Sequence, residues 1–570
     1  MNGRQVHYEL FVRRTPIASW TLDMASENRE QVVQTAKTML AEGRVAAVRV
    51  TKETLDPDTR EFRSNVVLTE GKIEEKPKPK VVEDREPLCV SPQDLYTIHA
   101  RDRIGRLLEG WLARQQATPF ELLHRPDLIE KLDAAGVELQ HAIQKIAIPE
   151  AQARGISTHE LIRSFQALTE RAISRVMKDG RRGAFPDLER EKFAAAAERL
   201  AHEPDGGYLL GGAVAQRLAG ARSWADKISK ILDLADGAPT EAWGRKLALE
   251  TLEQPLAEIL ESGVAVFGLL GADLDLGARL AGMTRLAASQ AVDALATAEP
   301  AVARILPPLQ GLALRLAERL SEKAFSAARA AVGRLLLREL MGPKRLRPAN
   351  PMEEIELLRG LGMAMTAAAG QLLPADDVQA AFAARSRMLV SSEFVASLIG
   401  QDASARVEVE RLIWLAENVV GAANKREAAR YLVAQVGSLR MEKEFRQGPE
   451  SPVAKLAALA ALQRSAGRAG LIAEDLAPIQ AKLGELGGAI ETDVKLTAAL
   501  THAEAPVVHR LTLLLRLAIG EAAPLGPVAD RAREGALKIL KTKAARDQLA
   551  ETPEKLEQVR GLIQAAGLAG

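Results

Sequence analysis

The sequence contains a single cysteine, Cys89, among 570 residues. One cysteine cannot form an intrachain disulfide and cannot supply a metal site built from several thiolates. The N-terminal stretch MNGRQVHYELFVRR alternates polar and apolar side chains and lacks the apolar run and small-residue cleavage site of a secretory signal. Together these two absences favour a reducing compartment, and we expect a cytoplasmic location.

Aromatic residues and long apolar runs are also scarce. Aromatics make up 4% of the chain, so Leu, Ala, Val and Ile must fill the interior, a composition that favours closely packed helices. The longest uncharged tract runs from Gly360 to Ala375 and is interrupted by Gly, Thr, Gln and Pro. A helix that spans a bilayer needs about 20 predominantly apolar residues. We therefore predict no transmembrane segment.

Net charge of either sign is nearly absent. The 76 basic and 75 acidic residues leave a formal net charge of +1. This balance excludes a global field that attracts nucleic acid or an anionic membrane, so only local patches could do so. The composition, 47% hydrophobic and 26% charged, is ordinary for a globular protein. Because one core stops growing well below this chain length, we expect roughly two to four packed units.

The N-terminal segment has the alternation of β-strands around one amphipathic helix. The Asp56-Pro57-Asp58 turn separates the last two strands. The pattern predicts a β-β-α-β-β module over residues 1–70 in which the helix covers one face of a four-stranded sheet. Its predicted elements are the strands Val6–Val12 and Ser19–Met24, a helix capped by Ser26 and running to Glu42, and the strands Val45–Thr51 and Glu61–Thr69.

Residues 71–87, GKIEEKPKPKVVEDREP, combine charge with three prolines and predict a flexible linker. Beyond it the apolar period changes to 3.6 and stays there, which predicts helices to the end of the chain. The fold class is therefore mainly α, a small N-terminal α+β module followed by a large multi-helix array or bundle. Gly342-Pro343 and Gly448-Pro449 suggest a helical domain at 88–345, a helical subdomain at 346–450 and a C-terminal helical subdomain at 451–570.

Local signals predict several individual helices. Ser91-Pro92 begins one that carries its apolar stripe through Leu112. The capping box Ser157–Glu160 begins a second, which Gly180 ends. One long apolar stripe from Leu309 to Met341 predicts a third, and a capping box at Asn424–Glu427 predicts a fourth that continues through Phe445.

Three stretches resemble parts of catalytic or cofactor motifs but lack their essential residues. His159-Glu160 begins like a zinc-protease helix, yet Arg163 stands where the second histidine is needed. The glycine-rich stretch Gly206–Gly212 lacks the Lys-Ser/Thr ending of a P-loop, so close helix packing or a flexible connection explains it better. Cys89 precedes a helix start, but no histidine partner can be assigned to it. We therefore predict no catalytic, cofactor-binding or metal-binding residues and no cofactor.

Basic clusters are the most prominent local feature. Arg175, Lys178, Arg181 and Arg182 gather at one helix end, and Lys344, Arg345 and Arg347 lie in a proline-rich loop. A third run comprises Arg531, Arg533, Lys538, Lys541, Lys543 and Arg546. Solvated surfaces and interactions with the helix dipole explain such residues without a ligand. Where they bind an anionic partner, the candidate residues are Arg181, Arg182, Lys538, Lys541 and Lys543.

These observations favour a non-catalytic scaffold, adaptor or regulatory protein that acts through protein–protein interaction. The expected partner is another protein. One alternative is a nucleic-acid or anionic-surface binder that uses the basic clusters. Another is an enzyme of unrecognised type, because catalytic groups can converge from distant positions. The sequence leaves the partner's identity and the oligomeric state open.

Overall fold

A computed structural model describes residues 6–16, 18, 20–55, 62–72, 88–368, 373–551 and 553–568. The chain divides into two compact units, Met1–Leu88 and Cys89–Gly570. The first contains a four-stranded antiparallel sheet with one helix, and the second is helical. The predicted mainly α fold class with a small N-terminal α+β module is confirmed. The Asp56-Pro57-Asp58 turn and positions 73–87 of the predicted linker lie outside the described residues.

The first unit has the predicted order of elements. They are β1 (Val6–Arg13), β2 (Thr21–Ser26), α1 (Arg29–Ala41), β3 (Ala47–Leu55) and β4 (Phe62–Gly71). The strand order is β2-β1-β3-β4, and every neighbouring pair is antiparallel. The prediction that Ser26 caps the helix is wrong, because Ser26 is the last residue of β2. Asn28 is the N-cap, and its side-chain oxygen accepts hydrogen bonds from the backbone N–H groups of Glu30 and Gln31.

Alternation along the strands gives the sheet two chemically different faces. On one face Leu10, Val48 and Val50 are buried against Val32 and Ala36 of α1. The opposite face, which we call the outer face, carries Phe11, Leu22, Arg49, Thr51 and Val66, which are matched across the strands by register. Thus α1 covers one side of the sheet only.

The helical unit begins with short elements. A 3-10 helix, Pro92–Tyr96, follows the N-cap Ser91. The single helix predicted from Ser91 through Leu112 is wrong, because the chain turns at Thr97 and again at Leu108, which divides this segment among three elements. The first eight helices after it are α2 (Ile98–Leu107), α3 (Glu109–Gln115), α4 (Pro119–Leu122), α5 (Pro126–Ala134), α6 (Val137–Arg154), α7 (Thr158–Arg181), α8 (Phe193–Leu200) and α9 (Gly206–Ala219).

The predicted helix at Ser157 is present as α7. The hydroxyl of Ser157 accepts a hydrogen bond from the N–H of Glu160, and Leu161, Phe165 and Leu168 are buried on one face. Gly180 does not end it, since the helix continues to Arg181. A glycine costs a helix about 1 kcal/mol relative to alanine but does not by itself stop it.

The helix predicted over Leu309–Met341 is two helices. A short 3-10 turn, Lys323–Phe325, separates them and buries the Phe325 ring completely. The apolar stripe continues across the break because both helices face the same core. The 3.6-residue apolar period therefore gives no sign of the turn. The next eight helices are α10 (Trp224–Asp236), α11 (Ala242–Leu260), α12 (Gly263–Leu270), α13 (Leu276–Ala287), α14 (Ser289–Ala298), α15 (Pro300–Ile305), α16 (Gly311–Leu320) and α17 (Ser326–Met341).

The capping box predicted at Asn424 is also wrong. Asn424 lies inside a helix, and its buried amide donates hydrogen bonds to the carbonyl oxygens of Ala383 and Val420. The helix ends at Val436, and Ser438 caps a separate one. This part of the chain contains α18 (Pro351–Ala367), α19 (Ala375–Leu389), α20 (Ser392–Ile399), α21 (Ala405–Asn418), α22 (Ala422–Val436) and α23 (Leu439–Gln447).

The remaining helices complete the unit. They are α24 (Pro452–Arg468), α25 (Ala473–Val494), α26 (Leu496–His502), α27 (Val507–Ala518), α28 (Pro527–Leu540), α29 (Lys543–Glu551) and α30 (Pro553–Ala565). None of the helices within the described ranges combines the length and apolar character needed to cross a membrane.

Apolar side chains of the helical unit form two buried clusters. The smaller, which we call the front core, draws on residues between Leu108 and Tyr208. The larger extends from Phe120 to Ala566 and is continuous across positions 345 and 450. The subdomain boundaries expected at those positions stay predictions.

Candidate functional site

The basic residues at the end of α7 are of two kinds. Arg175 is half-buried, with its Nη2 2.8 Å from Asp205 Oδ1 and its guanidinium 4.0 Å from the centre of the Tyr208 ring. Arg181 and Arg182 are exposed, and within the described part of the chain neither forms an ion pair. Arg175 is therefore held in place by its neighbours, whereas Arg181 and Arg182 are available to an external anion.

The C-terminal basic run divides in the same way. Arg531 pairs with Glu491, and Arg533 is 2.9 Å from Asp530 Oδ1. In contrast, Lys538, Lys541 and Lys543 are exposed at the end of α28 and the start of α29, without an ion pair to any described residue. The structure thus brings these three lysines together at one turn between helices.

The other candidate residues do not join either group. Arg345 and Arg347 of the proline-rich loop pair with Glu354 and Glu353. Arg181 ends α7 and Arg182 follows it directly. Helix α7 packs on α5 and α6, while α28 packs on α25, α26 and α27. The five predicted anion-binding residues therefore belong to two different parts of the helical unit.

The motif-like stretches have structural roles. His159 is an exposed residue in the first turn of α7. Among the residues that the structure describes, no group of three or more His, Cys, Asp or Glu side chains is arranged to hold a metal ion. Cys89 is half-buried, with its sulfur 3.8 Å from the carbonyl oxygen of Asp94.

The glycine-rich stretch is the beginning of α9, where glycine allows close packing. A Cβ at position 211 would lie 2.6 Å from Nε2 of His124, and one at position 212 would overlap the ring of Phe185. Side chains larger than hydrogen are therefore excluded at both positions. This packing supports the structural explanation of the stretch.

A buried ionic group around α4 was not predicted. The Glu121 carboxylate has no exposed area, lies 2.6 Å from Nζ of Lys227 and accepts a hydrogen bond of 3.0 Å from Arg125. Nearby, the carboxylate of Glu258 accepts hydrogen bonds from Nε of Arg101 at 2.7 Å and from the N–H of Phe120 at 2.7 Å. Burial lowers the pKa of Lys227 and raises that of Glu258.

The sequence contains one signal for part of this group. Thr118-Pro119-Phe120-Glu121 is a capping box with proline at its first helical position, and both reciprocal hydrogen bonds are present. The box predicts a helix start. It does not predict the pairing of Glu121 with Lys227, which lies over one hundred residues further along the chain.

Three rings cluster beside the ionic group. The ring centre of His124 lies 5.1 Å from that of Tyr96 and 5.5 Å from that of Tyr208, and the two tyrosine ring centres are 5.3 Å apart. Nδ1 of His124 is 2.7 Å from the carbonyl oxygen of Phe120. Since a carbonyl oxygen only accepts, Nδ1 carries the proton in the neutral ring. Burial lowers the pKa of His124 to about 4 and raises the pKa of both tyrosines. All three rings are therefore uncharged at neutral pH.

The outer face of the N-terminal sheet carries an aromatic–cationic group. The guanidinium groups of Arg13 and Arg49 lie 4.6 Å and 4.5 Å from the centre of the Trp20 ring. On the same face Leu22 is 54% exposed and Val66 is 61% exposed. Exposed aliphatic side chains thus accompany a tryptophan and two cations on a single surface.

Comparison of the chain with protein-family models, with curated proteins and with solved structures finds no match.

Proposed function

We propose that this chain is a non-catalytic adaptor or regulatory protein that binds another protein through the outer face of its N-terminal sheet. The observation that carries the proposal is the grouping of Trp20, Arg13 and Arg49 with exposed Leu22 and Val66. Tryptophan and arginine are enriched among the residues that dominate protein–protein binding energies. Aliphatic side chains exposed beside them supply the apolar area of such a surface.

The chemistry of this face specifies the kind of partner. Two guanidinium groups beside an indole ring favour a partner segment that combines acidic and apolar side chains. The strand β2 lies at one edge of the described sheet and contributes Leu22 to the outer face. An extended segment can therefore add to β2 through backbone hydrogen bonds while its side chains contact the outer face.

The experiment compares full-length variants by crosslinking and mass spectrometry in the native host. The double variant Leu22→Glu with Val66→Glu places negative charge on the outer face. The control is Leu439→Glu, at a leucine of α23 that is 84% exposed. We expect crosslinks between the N-terminal unit and one partner to disappear in the double variant and to persist in the control.

Purified components then provide the quantitative test. The dissociation constant of that partner should rise at least about tenfold in the double variant, which corresponds to about 1.4 kcal/mol. Binding that is unchanged in the double variant, or weakened equally by Leu439→Glu, would contradict the proposal. A cytoplasmic location, favoured by the single cysteine, is part of the same proposal.

A second candidate function is nucleic-acid binding at the turn between α28 and α29. The specific observation is that Lys538, Lys541 and Lys543 are exposed and without an acidic partner among the described residues. Each phosphate contact contributes about −0.9 to the slope of log affinity against log salt for duplex DNA. Changing all three lysines to Gln should therefore make the slope for a DNA duplex shallower by about 2 to 3, while Lys145→Gln with Lys443→Gln, at exposed positions outside the basic clusters, serves as the control. A slope that is the same in all three proteins would exclude this function.

A further inference from the structure

The front core contains a cavity of about 120 Å³ between α2, α5, α6 and α7. Its inner wall includes the buried side chains of Leu108, Leu122, Ile129, Leu132 and Val176. Interiors are otherwise packed closely enough that voids larger than a water molecule are few. A cavity of this size among aliphatic side chains is a specific feature of this region.

The cavity reaches the surface. Leu139, Thr169 and Ile173 line it and are half-buried, while Asp133 lines it and is exposed. The buried wall therefore forms the inner end, and the C-terminal part of α5 and the middle of α7 form the mouth. A small molecule can enter without unfolding of the unit.

The lining offers almost nothing to hold water. The Tyr96 hydroxyl donates to the carbonyl oxygen of Leu123 at 3.2 Å, and the Thr169 hydroxyl lies 3.0 Å and 2.8 Å from the carbonyl oxygens of Phe165 and Gln166. Both hydroxyl hydrogens are thus already used. A buried water needs roughly two to four polar partners, whereas apolar cavities of about 150 Å³ stay dry and bind benzene. The interior therefore favours a hydrocarbon group of about six carbon atoms.

The mouth favours one type of polar group. Its exposed charged side chain is the Asp133 carboxylate, which repels an anionic head and attracts a cationic one. The hydroxyl oxygen of Thr169 can accept a hydrogen bond but has no free hydrogen to donate. A ligand whose polar end donates hydrogen bonds satisfies both groups.

We propose that this cavity is a binding site for the alkyl chain of a small amphiphile whose polar end is a neutral or cationic hydrogen-bond donor. The alkyl chain occupies the space between Ile129, Leu132 and Val176, and the polar end lies beside Asp133. The site is separate from the outer face of the sheet, so it stands whether or not that face binds a protein.

The test uses methyl NMR of the full-length chain labelled at isoleucine, with hexylammonium, hexan-1-ol and hexanoate as probes. Ile104, Ile129 and Ile173 line the cavity, while Ile231 is buried in the larger core and reports nonspecific effects. We expect saturable shifts at the three lining residues and none at Ile231. Hexylammonium should bind at least about fivefold more tightly than hexanoate.

Two variants at α7 separate the cavity from other apolar surface. Ala172→Leu fills part of the cavity, leaves too little space for a six-carbon chain, and should abolish the saturable shifts of Ile104 and Ile129. Ala167→Leu, at an exposed position of the same helix, adds the same atoms outside the cavity and should leave them unchanged. If Ala172→Leu fails to fold, Leu139→Phe at the mouth provides the same test.

The role of the polar end is tested by Asp133→Asn. This change should bring the affinities of hexylammonium and hexanoate to within about twofold while leaving hexan-1-ol binding intact. The absence of saturable shifts with all three probes, or equal binding to wild type and Ala172→Leu, would overturn the site. A preference for hexylammonium that persists in Asp133→Asn would overturn the assignment of its polar end.

Discussion

The two sides of the front core are packed in opposite ways. On the side formed by α4 and α9, hydrogen atoms of Gly211 and Gly212 meet the rings of His124 and Phe185, and no methyl group fits between them. On the side formed by α5, α6 and α7, aliphatic side chains leave about 120 Å³ unfilled. Helix packing in one small cluster is thus tight at one boundary and loose at the other.

The contrast shows where this part of the protein is constrained and where it can accept a ligand. The tight side also holds the buried Glu121–Lys227 pair, whose charges must remain matched. The loose side contains no comparable ionic pair among the residues that line the cavity. Substitutions of similar size should therefore change stability in opposite directions on the two sides.

The largest effect is expected on the tight side from Lys227→Met. This change leaves the carboxylate of Glu121 buried with Arg125 as its remaining cationic partner. Breaking one partner of a buried ion pair costs about 3–5 kcal/mol, so we expect a loss of about 4 kcal/mol in urea unfolding at neutral pH.

Lys482→Met is the matched control, since Lys482 pairs with Glu485 on the surface and both side chains are at least half exposed. It should change stability by less than about 1 kcal/mol. Equal losses of stability in the two variants would show that the buried Glu121–Lys227 pair matters no more to stability than an exposed pair.

The next effect concerns the pH dependence of the same side. Because the folded-state pKa of His124 is lowered to about 4 from its ordinary 6.5, the unfolded chain binds a proton that the native chain does not between these values. The neutral state of His124 therefore contributes to the free energy of unfolding, and this contribution is fully present above pH about 6.5. It is lost as the pH falls towards 4, and the loss reaches about 2.5 kcal/mol by pH about 4.5.

The variant His124→Asn removes this titration while keeping a hydrogen-bond donor near the carbonyl oxygen of Phe120. Between pH about 7.5 and about 4.5, the free energy of unfolding of the wild type should therefore fall by about 2.5 kcal/mol more than that of the variant. Parallel pH profiles would mean that His124 is not kept neutral by its burial.

A smaller loss is expected from Gly212→Ala, in which the added methyl group overlaps the ring of Phe185. Overpacking of this kind costs about 1–3 kcal/mol, and we expect about 2 kcal/mol. Gly207→Ala is the control in the same helix, because its new methyl would meet only Leu247 Cδ1 at 3.8 Å. The control should be neutral or gain up to about 1 kcal/mol through helix propensity.

The smallest effect, and the one of opposite sign, is expected on the loose side. Ala172→Leu fills part of the cavity and should raise the free energy of unfolding by about 1 kcal/mol, in the range typical of cavity-filling substitutions. Thermal and urea unfolding measure the gain, with Ala167→Leu as the exposed control. A loss of stability comparable to that of Gly212→Ala would remove the contrast between the two sides.

The main features of the fold follow from local pattern. Alternation over Val6–Val12 and the change of period after the proline-rich segment depend only on neighbouring residues, so the sheet module and the mainly α class could be predicted. The interruption at Lys323–Phe325 could not, because α16 and α17 present one continuous apolar stripe. The role of Asn424 was hidden for another reason, since one of its partners is a carbonyl oxygen of a different helix.

The site features depend more strongly on distant contacts. In the sequence, Arg531 and Lys538 belong to the same run of basic residues. Only the fold shows that Arg531 pairs with Glu491 while Lys538 stays exposed. The cavity is defined by the spacing of four helices, and no single segment encodes that spacing. Residue type and period therefore identify candidate residues, and the pairing between segments decides which of them are available.

The helical unit also has consequences for how the chain is made. Many of its contacts join consecutive helices, such as α21 with α22, α24 with α25 and α27 with α28, whereas α11 packs on α17, six helices later. Contacts of short sequence separation form quickly, and N-terminal parts fold first during synthesis. Each helix of a consecutive pair therefore finds its neighbour soon after translation, while α11 must wait for α17, so protease protection of stalled nascent chains should rise in steps, with α11 protected only once α17 has emerged.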